Sequence, residues 1–157
     1  MMTKDGIYNL LIILLSLGVI TAALFKFILI AEPGIVRVED VDHIRLRDTS
    51  ENTLKLNPLL NGELDNYILL FEMDNCGSCI TKGLNELEFF REKGKNCLAI
   101  MIHDRPVELA GWADNYEFHP IYFISRSGFY EYFNCQQLPV LFAISGDQVR
   151  IIRYFTM

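Results

Sequence analysis

The sequence predicts an α/β layer structure, a mixed sheet flanked by helices and preceded by one membrane-spanning helix. Three observations carry that expectation. Ile7 to Phe25 is a run of 19 residues without a charge. From Tyr67 onward, apolar runs of strand length alternate with segments whose apolar residues recur at helical spacing, as in layered α/β proteins. The final two runs flank Ser145-Gly146-Asp147, which reads as the turn of a closing hairpin.

The N-terminal segment comes first. An apolar stretch of about 20 residues matches the roughly 30 Å hydrocarbon core of a bilayer, and residues 7–31 are long enough to span it with some tilt. A cleaved signal peptide has an apolar core of only about 7–15 residues followed by a small-x-small site. Leu29-Ile30-Ala31 is a poor match to such a site, and no cysteine precedes Cys76 to carry a lipid. The segment therefore reads as an uncleaved signal-anchor, with the lipid bilayer as partner of residues 7–31. Lys4 before the span is balanced by Lys26 and Arg37 at its far end, so the charge rule decides little. A short tail before a single span usually leaves the larger C-terminal part outside the cytoplasm. The expected location is the cell membrane, single-pass, with the domain on the periplasmic side. The expected organisation is tail and anchor over 1–31, a linker over 32–43 and one domain over 44–157.

Composition supports a folded domain on a tether. With 51% hydrophobic and 22% charged residues, the chain is too apolar for disorder and too charged for a polytopic membrane protein. Without Lys4, Asp5 and Lys26, residues 32–157 carry 12 basic and 19 acidic side chains, a net charge of −7. Phosphate attraction, and with it a nucleic-acid partner, is not expected.

Within the domain, a strand is expected near His43–Leu46, and Asn57-Pro58 and Asn61-Gly62 are turn signals. Tyr67–Phe71 is a continuous apolar run, as for a strand buried on both faces. Ile80, Leu84, Leu87 and Phe90 then recur at helical spacing up to Lys93-Gly94, a stop signal. Cys97–Ile102 is a second buried strand. Pro106 suits the first turn of a helix carrying Leu109, Trp112 and Tyr116. His119-Pro120 ends it, and Ile121–Ile124 is a third strand. Ser127–Gln136 reads as a short helix, and Val140–Ile144 with Val149–Phe155 as the hairpin.

The chemistry falls where the first buried strand turns into its helix. Cys76 and Cys79 lie three apart at a helix start, where free N–H groups and the helix dipole favour a thiolate. Such a thiolate can attack a substrate disulfide, and the second cysteine then resolves the mixed disulfide. An inert structural pair and half of a zinc site are the other readings. Zinc needs two further ligands, whereas Cys97, Cys135 and the three histidines are scattered. No metal ligand set and no organic cofactor is expected.

Residues from about 44 to 155 resemble the thioredoxin superfamily. With the anchor, they are most similar to the membrane-tethered thiol–disulfide oxidoreductases of the TlpA/ResA kind. The matching features are the strand Ile68–Phe71, the Cys76-Gly77-Ser78-Cys79 pair opening a helix, and Leu138-Pro139-Val140-Leu141-Phe142 before the final hairpin. The resemblance implies that Pro139 is cis beside the cysteine pair and that the backbone of Leu138 pairs with an extended substrate segment. It also implies an enzyme that reduces protein disulfides, with a thiol protein as electron donor. The alternative is a non-catalytic binding or scaffold module of the same fold at the membrane. Three departures stand out. Asn75 replaces the family's tryptophan, Leu70 a buried carboxylate or amide, and Lys82 the acid of cytochrome-maturation members.

Four further residues are candidate modulators. Glu72 and Asp74 either oppose the Cys76 thiolate or are solvated carboxylates at a strand end. Lys82 is either an exposed helix lysine or a cation favouring the thiolate. Cys135, four residues before Pro139, is either a buried valine substitute or a third redox thiol, with Asn134 in a left-handed conformation before it. Cys97 reads as a small buried hydrophobe. Finally, Ile151-Ile152-Arg153-Tyr154-Phe155 leaves no room for the family's C-terminal helix. Its apolar residues fall on both faces of the strand, so an exposed patch is expected there, with self-association or a partner, unless residues 35–60 fold back over it.

Overall fold

The computed structural model describes residues 40–105, 111, 116–135 and 137–156. Seven strands form one sheet: β1 (Arg45–Arg47), β2 (Thr53–Lys55), β3 (Asn66–Glu72), β4 (Asn96–Ile102), β5 (Ile121–Ile124), β6 (Val140–Ser145) and β7 (Gln148–Tyr154). Their spatial order is β2-β1-β5-β4-β3-β6-β7. β3, β4 and β5 run parallel, while β1, β2, β6 and β7 pair antiparallel with their neighbours. Helix α1 (Gly77–Glu92) connects β3 to β4, and α2 (Arg126–Tyr132) follows β5. The expected helix carrying Leu109 and Trp112 lies outside the described residues, as does the expected membrane span over 7–31. Among the described residues, no helix is long and apolar enough to cross a membrane.

β3 is central because its sequence can be buried on both faces. Ile68 and Leu70 enter one apolar cluster with Ile100, Ile102, Val140, Phe142, Phe129 and Phe133. Tyr67, Leu69 and Phe71 enter the other with Ile80, Leu84, Leu87, Met101 and Phe123 beneath α1. Strand alternation sorts them. α1 approaches closely at Gly83, where a Cβ would stand 2.8 Å from Leu69 Cδ1 and 3.4 Å from Phe155 Cε2. The β6–β7 hairpin turns through Gly146, whose φ of 58° at the first central position suits a primed two-residue turn.

The N-terminal part of the domain departs from the sequence reading. The strand expected near His43–Leu46 is Arg45–Arg47, and it pairs with a second strand, Thr53–Lys55, that the polar sequence did not announce. Val41, expected in the linker, is buried in the same cluster as Ile44, Leu46 and Leu56. Val149, Ile151 and Tyr154 of β7 are half-buried against that cluster, and Ile152 against the one beneath α1. The apolar side chains of this strand, expected to lie exposed, are thus at least partly covered by the chain itself. The exposed large hydrophobic side chains among the described residues are Leu64, Met73, Phe89 and Tyr130, none of them on β7. After β7, Phe155 and Thr156 are not helical.

α2 is shorter than the expected Ser127–Gln136. It stops because Phe133 turns to extended backbone (φ −111°, ψ 129°) and is buried. Asn134 is not left-handed. Among the described residues, Glu51 (φ 63°) is the non-glycine with positive φ.

Candidate redox site

Every element of the site converges on one edge of the sheet, the C-terminal ends of the parallel strands, where open α/β sheets place their ligands. β3 ends at Glu72, and a tight turn leads to Cys76. Asn75 closes that turn twice. Its N–H donates to the Glu72 carbonyl at 3.1 Å, and its side-chain oxygen accepts the Glu72 N–H at 2.7 Å. Asn75 thus fixes the departure of the chain toward Cys76, a use for this residue that its sequence position did not reveal.

Cys76 is the N-cap of α1 and forms a disulfide with Cys79, their Cα atoms 5.2 Å apart. The Cys79 N–H donates to Cys76 Sγ at 3.1 Å, and the Ser78 hydroxyl lies 3.4 Å from the same sulfur. No acidic residue occupies the first turn of α1. On reduction, the Cys76 sulfur therefore sits where an amide N–H and the helix dipole favour negative charge. The two sulfurs are unequal in access. Cys76 is half-buried, whereas Cys79 is only 4% exposed and packed with Ile80 and Leu84.

β6 brings the second part of the site. Val140 pairs with Leu70, so Leu138 and Pro139 lie at the start of β6 beside the end of β3. The Leu138–Pro139 bond is cis. Leu138 packs on the cluster containing Leu70 and Cys135. The Pro139 carbonyl accepts the Phe155 N–H at 2.9 Å. Phe155 is buried beneath α1, so the residue that fixes Pro139 also packs under the helix carrying the cysteines. Phe155, which the sequence places on an exposed apolar patch, is thus buried instead.

Of the candidate modulators, Glu72 is largely shielded, Asp74 is solvated, and both face a cation. Arg126, the first residue of α2, places Nε 4.0 Å from Glu72 Oε1 and Nη2 3.9 Å from Asp74 Oδ2. Nothing in the local sequence marks this arginine, which lies more than 50 residues along the chain. Lys82 is exposed on α1. Leu70, where a proton-handling group was absent from the sequence, is fully buried among apolar side chains. Cys135 is half-buried, and its thiol is pushed up to about 11, first by burial and then by the negative charge of Glu72. Burial likewise raises Cys97 to about 11. Neither is a thiolate near neutral pH, which favours the apolar reading of both.

No protein-family model matches this sequence, and no curated protein matches it. Solved structures do. An uncharacterized thioredoxin-like protein from Porphyromonas gingivalis is 20% identical over 73% of this chain and 78% of its own, with a TM-score of 0.52. A secreted Mycobacterium tuberculosis disulfide oxidoreductase homologous to E. coli DsbE is 9% identical over 73% and 85%, with a TM-score of 0.56. A putative electron transfer protein from Aquifex aeolicus is 16% identical over 78% and 88%, with a TM-score of 0.54. At such identities the likeness is one of fold. The chain has a mixed α/β thioredoxin-like fold, with its cysteine pair at the start of the helix after the central strand.

Proposed function

We propose that this protein is a membrane-anchored thiol–disulfide oxidoreductase that reduces protein disulfides outside the cytoplasm. The observation that carries the reading is the Cys76–Cys79 disulfide at the N-terminus of α1, with one reachable and one buried sulfur beside Leu138–Pro139. In the reduced protein, the Cys76 thiolate attacks one sulfur of a substrate disulfide. A mixed disulfide forms, and the other substrate sulfur leaves as a thiolate and takes up a proton. Cys79 loses its proton and attacks Cys76 Sγ, forming the internal disulfide and releasing the second substrate thiol. The substrate has then gained two electrons from the cysteine pair, with one proton from Cys79 and one from solvent. A thiol protein returns them by the reverse exchange. Leu138 and Pro139 supply the edge on which an extended substrate segment docks. The apolar segment 7–31 supplies the membrane anchor, with the domain on the periplasmic side.

The test uses the full chain in detergent micelles. It should reduce a model protein disulfide, Cys76→Ser should fall to the uncatalysed rate, and Cys79→Ser should accumulate a mixed disulfide with substrate. An unchanged rate in Cys76→Ser would leave the non-catalytic binding module. Gly77-Ser78 adds neither a cation nor a proline to the pair. The reduction potential should therefore lie nearer to thioredoxin's roughly −270 mV than to the ~−120 mV of the strongest oxidant of the fold.

A further inference from the structure

We propose that Arg126 is a positioning residue, acting through Glu72 and Asp74 to keep their negative charge from opposing the Cys76 thiolate. This rests on the reading of Cys76 as the attacking thiol. The two carboxylates stand four and two residues before Cys76, on a turn held rigidly by Asn75. Arg126 spans both, at 4.0 Å and 3.9 Å.

Its own backbone is fixed at several points. The Arg126 N–H donates to Asp104 Oδ1 at 3.0 Å, and the Asp104 carbonyl accepts from Arg47 Nη2 at 2.7 Å. The Ser125 hydroxyl caps α2 by accepting the Gly128 N–H at 3.1 Å. A guanidinium on α2 is thereby delivered to the turn after β3. The side chain of Arg126 is 54% exposed, that of Glu72 23% and that of Asp74 86%. The pairing is thus one of long-range charge compensation rather than of tight hydrogen bonds. Among the described residues, the other charged or titratable groups near this edge include Lys82 on α1, His103, Asp104 and Arg105 after β4, and Arg47 on β1. Asp104 is already engaged through its carboxylate and its carbonyl, and Lys82 adds to the positive side. Removal of Arg126 would leave the two carboxylates, four and two residues before Cys76, without their cation, and like charge disfavours a thiolate.

The experiment measures alkylation of Cys76 by iodoacetamide in the reduced full chain at neutral pH, read by mass spectrometry of the Cys76 peptide. Arg126→Gln should slow it about three-fold at low salt, and about 1 M salt should abolish the difference, because screening there acts within about 3 Å. Arg126→Lys should restore most of the rate. Glu72→Gln with Asp74→Asn should raise it, and Arg126→Gln added to that pair should no longer slow it beyond the wild-type rate. Equal slowing in the carboxylate-free background would overturn the proposal by showing that Arg126 acts on Cys76 directly, and persistence in high salt or failure of the lysine to rescue would overturn it by marking a merely structural arginine. Should Arg126→Gln fail to fold, the lysine and double-amide variants still decide it. Alkylation needs no turnover. The expected pattern without disulfide reductase activity would support the role of Arg126 while overturning the enzymatic reading.

Discussion

At its start, β3 places the Asn66 side chain, 4% exposed, among five hydrogen-bond contacts; at its end, the same strand places the Glu72 carboxylate 4.0 Å from the Arg126 guanidinium. The Asn66 side-chain oxygen accepts from the Asn61 N–H and Asn96 Nδ2, and its amide donates to the carbonyls of Asn61, Leu64 and Ile144. Next to it, the Asp65 carboxylate accepts from the Ser145 hydroxyl and from Lys95 Nζ at 2.9 Å. At this end, polar groups are satisfied by the chain itself and hold β3, β4 and β6 in register. At the other end, the sulfur and its neighbouring charges have looser partners, and the wall behind them is apolar at Leu70. One pole of the strand fixes the fold, and the other leads into the cysteine pair.

Asn66→Ala should sharpen this contrast most. It strips partners from several buried backbone and side-chain groups, and the loss should be about 3 kcal/mol in urea unfolding. The alkylation rate of Cys76 should stay within about two-fold, because the substitution lies at the far pole. A parallel change in thiol reactivity would break the division between the two ends.

The free thiols give the next largest effect. Cys97 and Cys135 rise from an ordinary 9.0 to about 11 in the folded protein, chiefly through burial. Between these values the unfolded chain has released protons that the folded one still holds. Stability is therefore fully present below pH 9 and is lost as pH rises toward 11. Replacing both cysteines with valine should flatten the fall in urea midpoint over that window. At pH 8, both should also alkylate at least about ten-fold more slowly than reduced Cys76. Equal rates for the three would remove the distinction between a reactive pair and packing cysteines.

Asp65→Asn should have the smallest effect. The Ser145 hydroxyl and then Lys95 hold this exposed carboxylate below its usual range. A depressed carboxyl contributes stability above the unfolded value of 3.8, lost as pH falls through the lower folded value. The variant should melt slightly below wild type at pH 7 and coincide with it in strong acid. A gap that persists at low pH would point to packing at the fold-holding pole instead of charge.

How much of this was legible in the sequence follows from how locally each feature is determined. β3 to β7 and α1 were legible because continuous apolar runs and helical spacing are properties of the chain itself. The hairpin of Arg45–Arg47 with Thr53–Lys55 was not, since its strands have three residues each and polar compositions. The cysteine pair and Leu138–Pro139 were visible as motifs. Arg126, Asn75 and Phe155 were not, because each acts through a contact that only the folded chain makes. Cys135 and the C-terminal strand were read as ambiguous because partial burial is a tertiary quantity.

Phe155 also sets an order of events during synthesis. Cys76 and Cys79 leave the ribosome about 60 residues before Pro139 and more than 75 before Phe155. Until residue 155 is free, nothing donates to the Pro139 carbonyl, and the space beneath α1 at Gly83 lacks its aromatic ring. The thiols are thus made long before the platform beside them is finished. A chain stopped before residue 155 would carry the dithiol without the Phe155 contacts at Pro139 and Gly83.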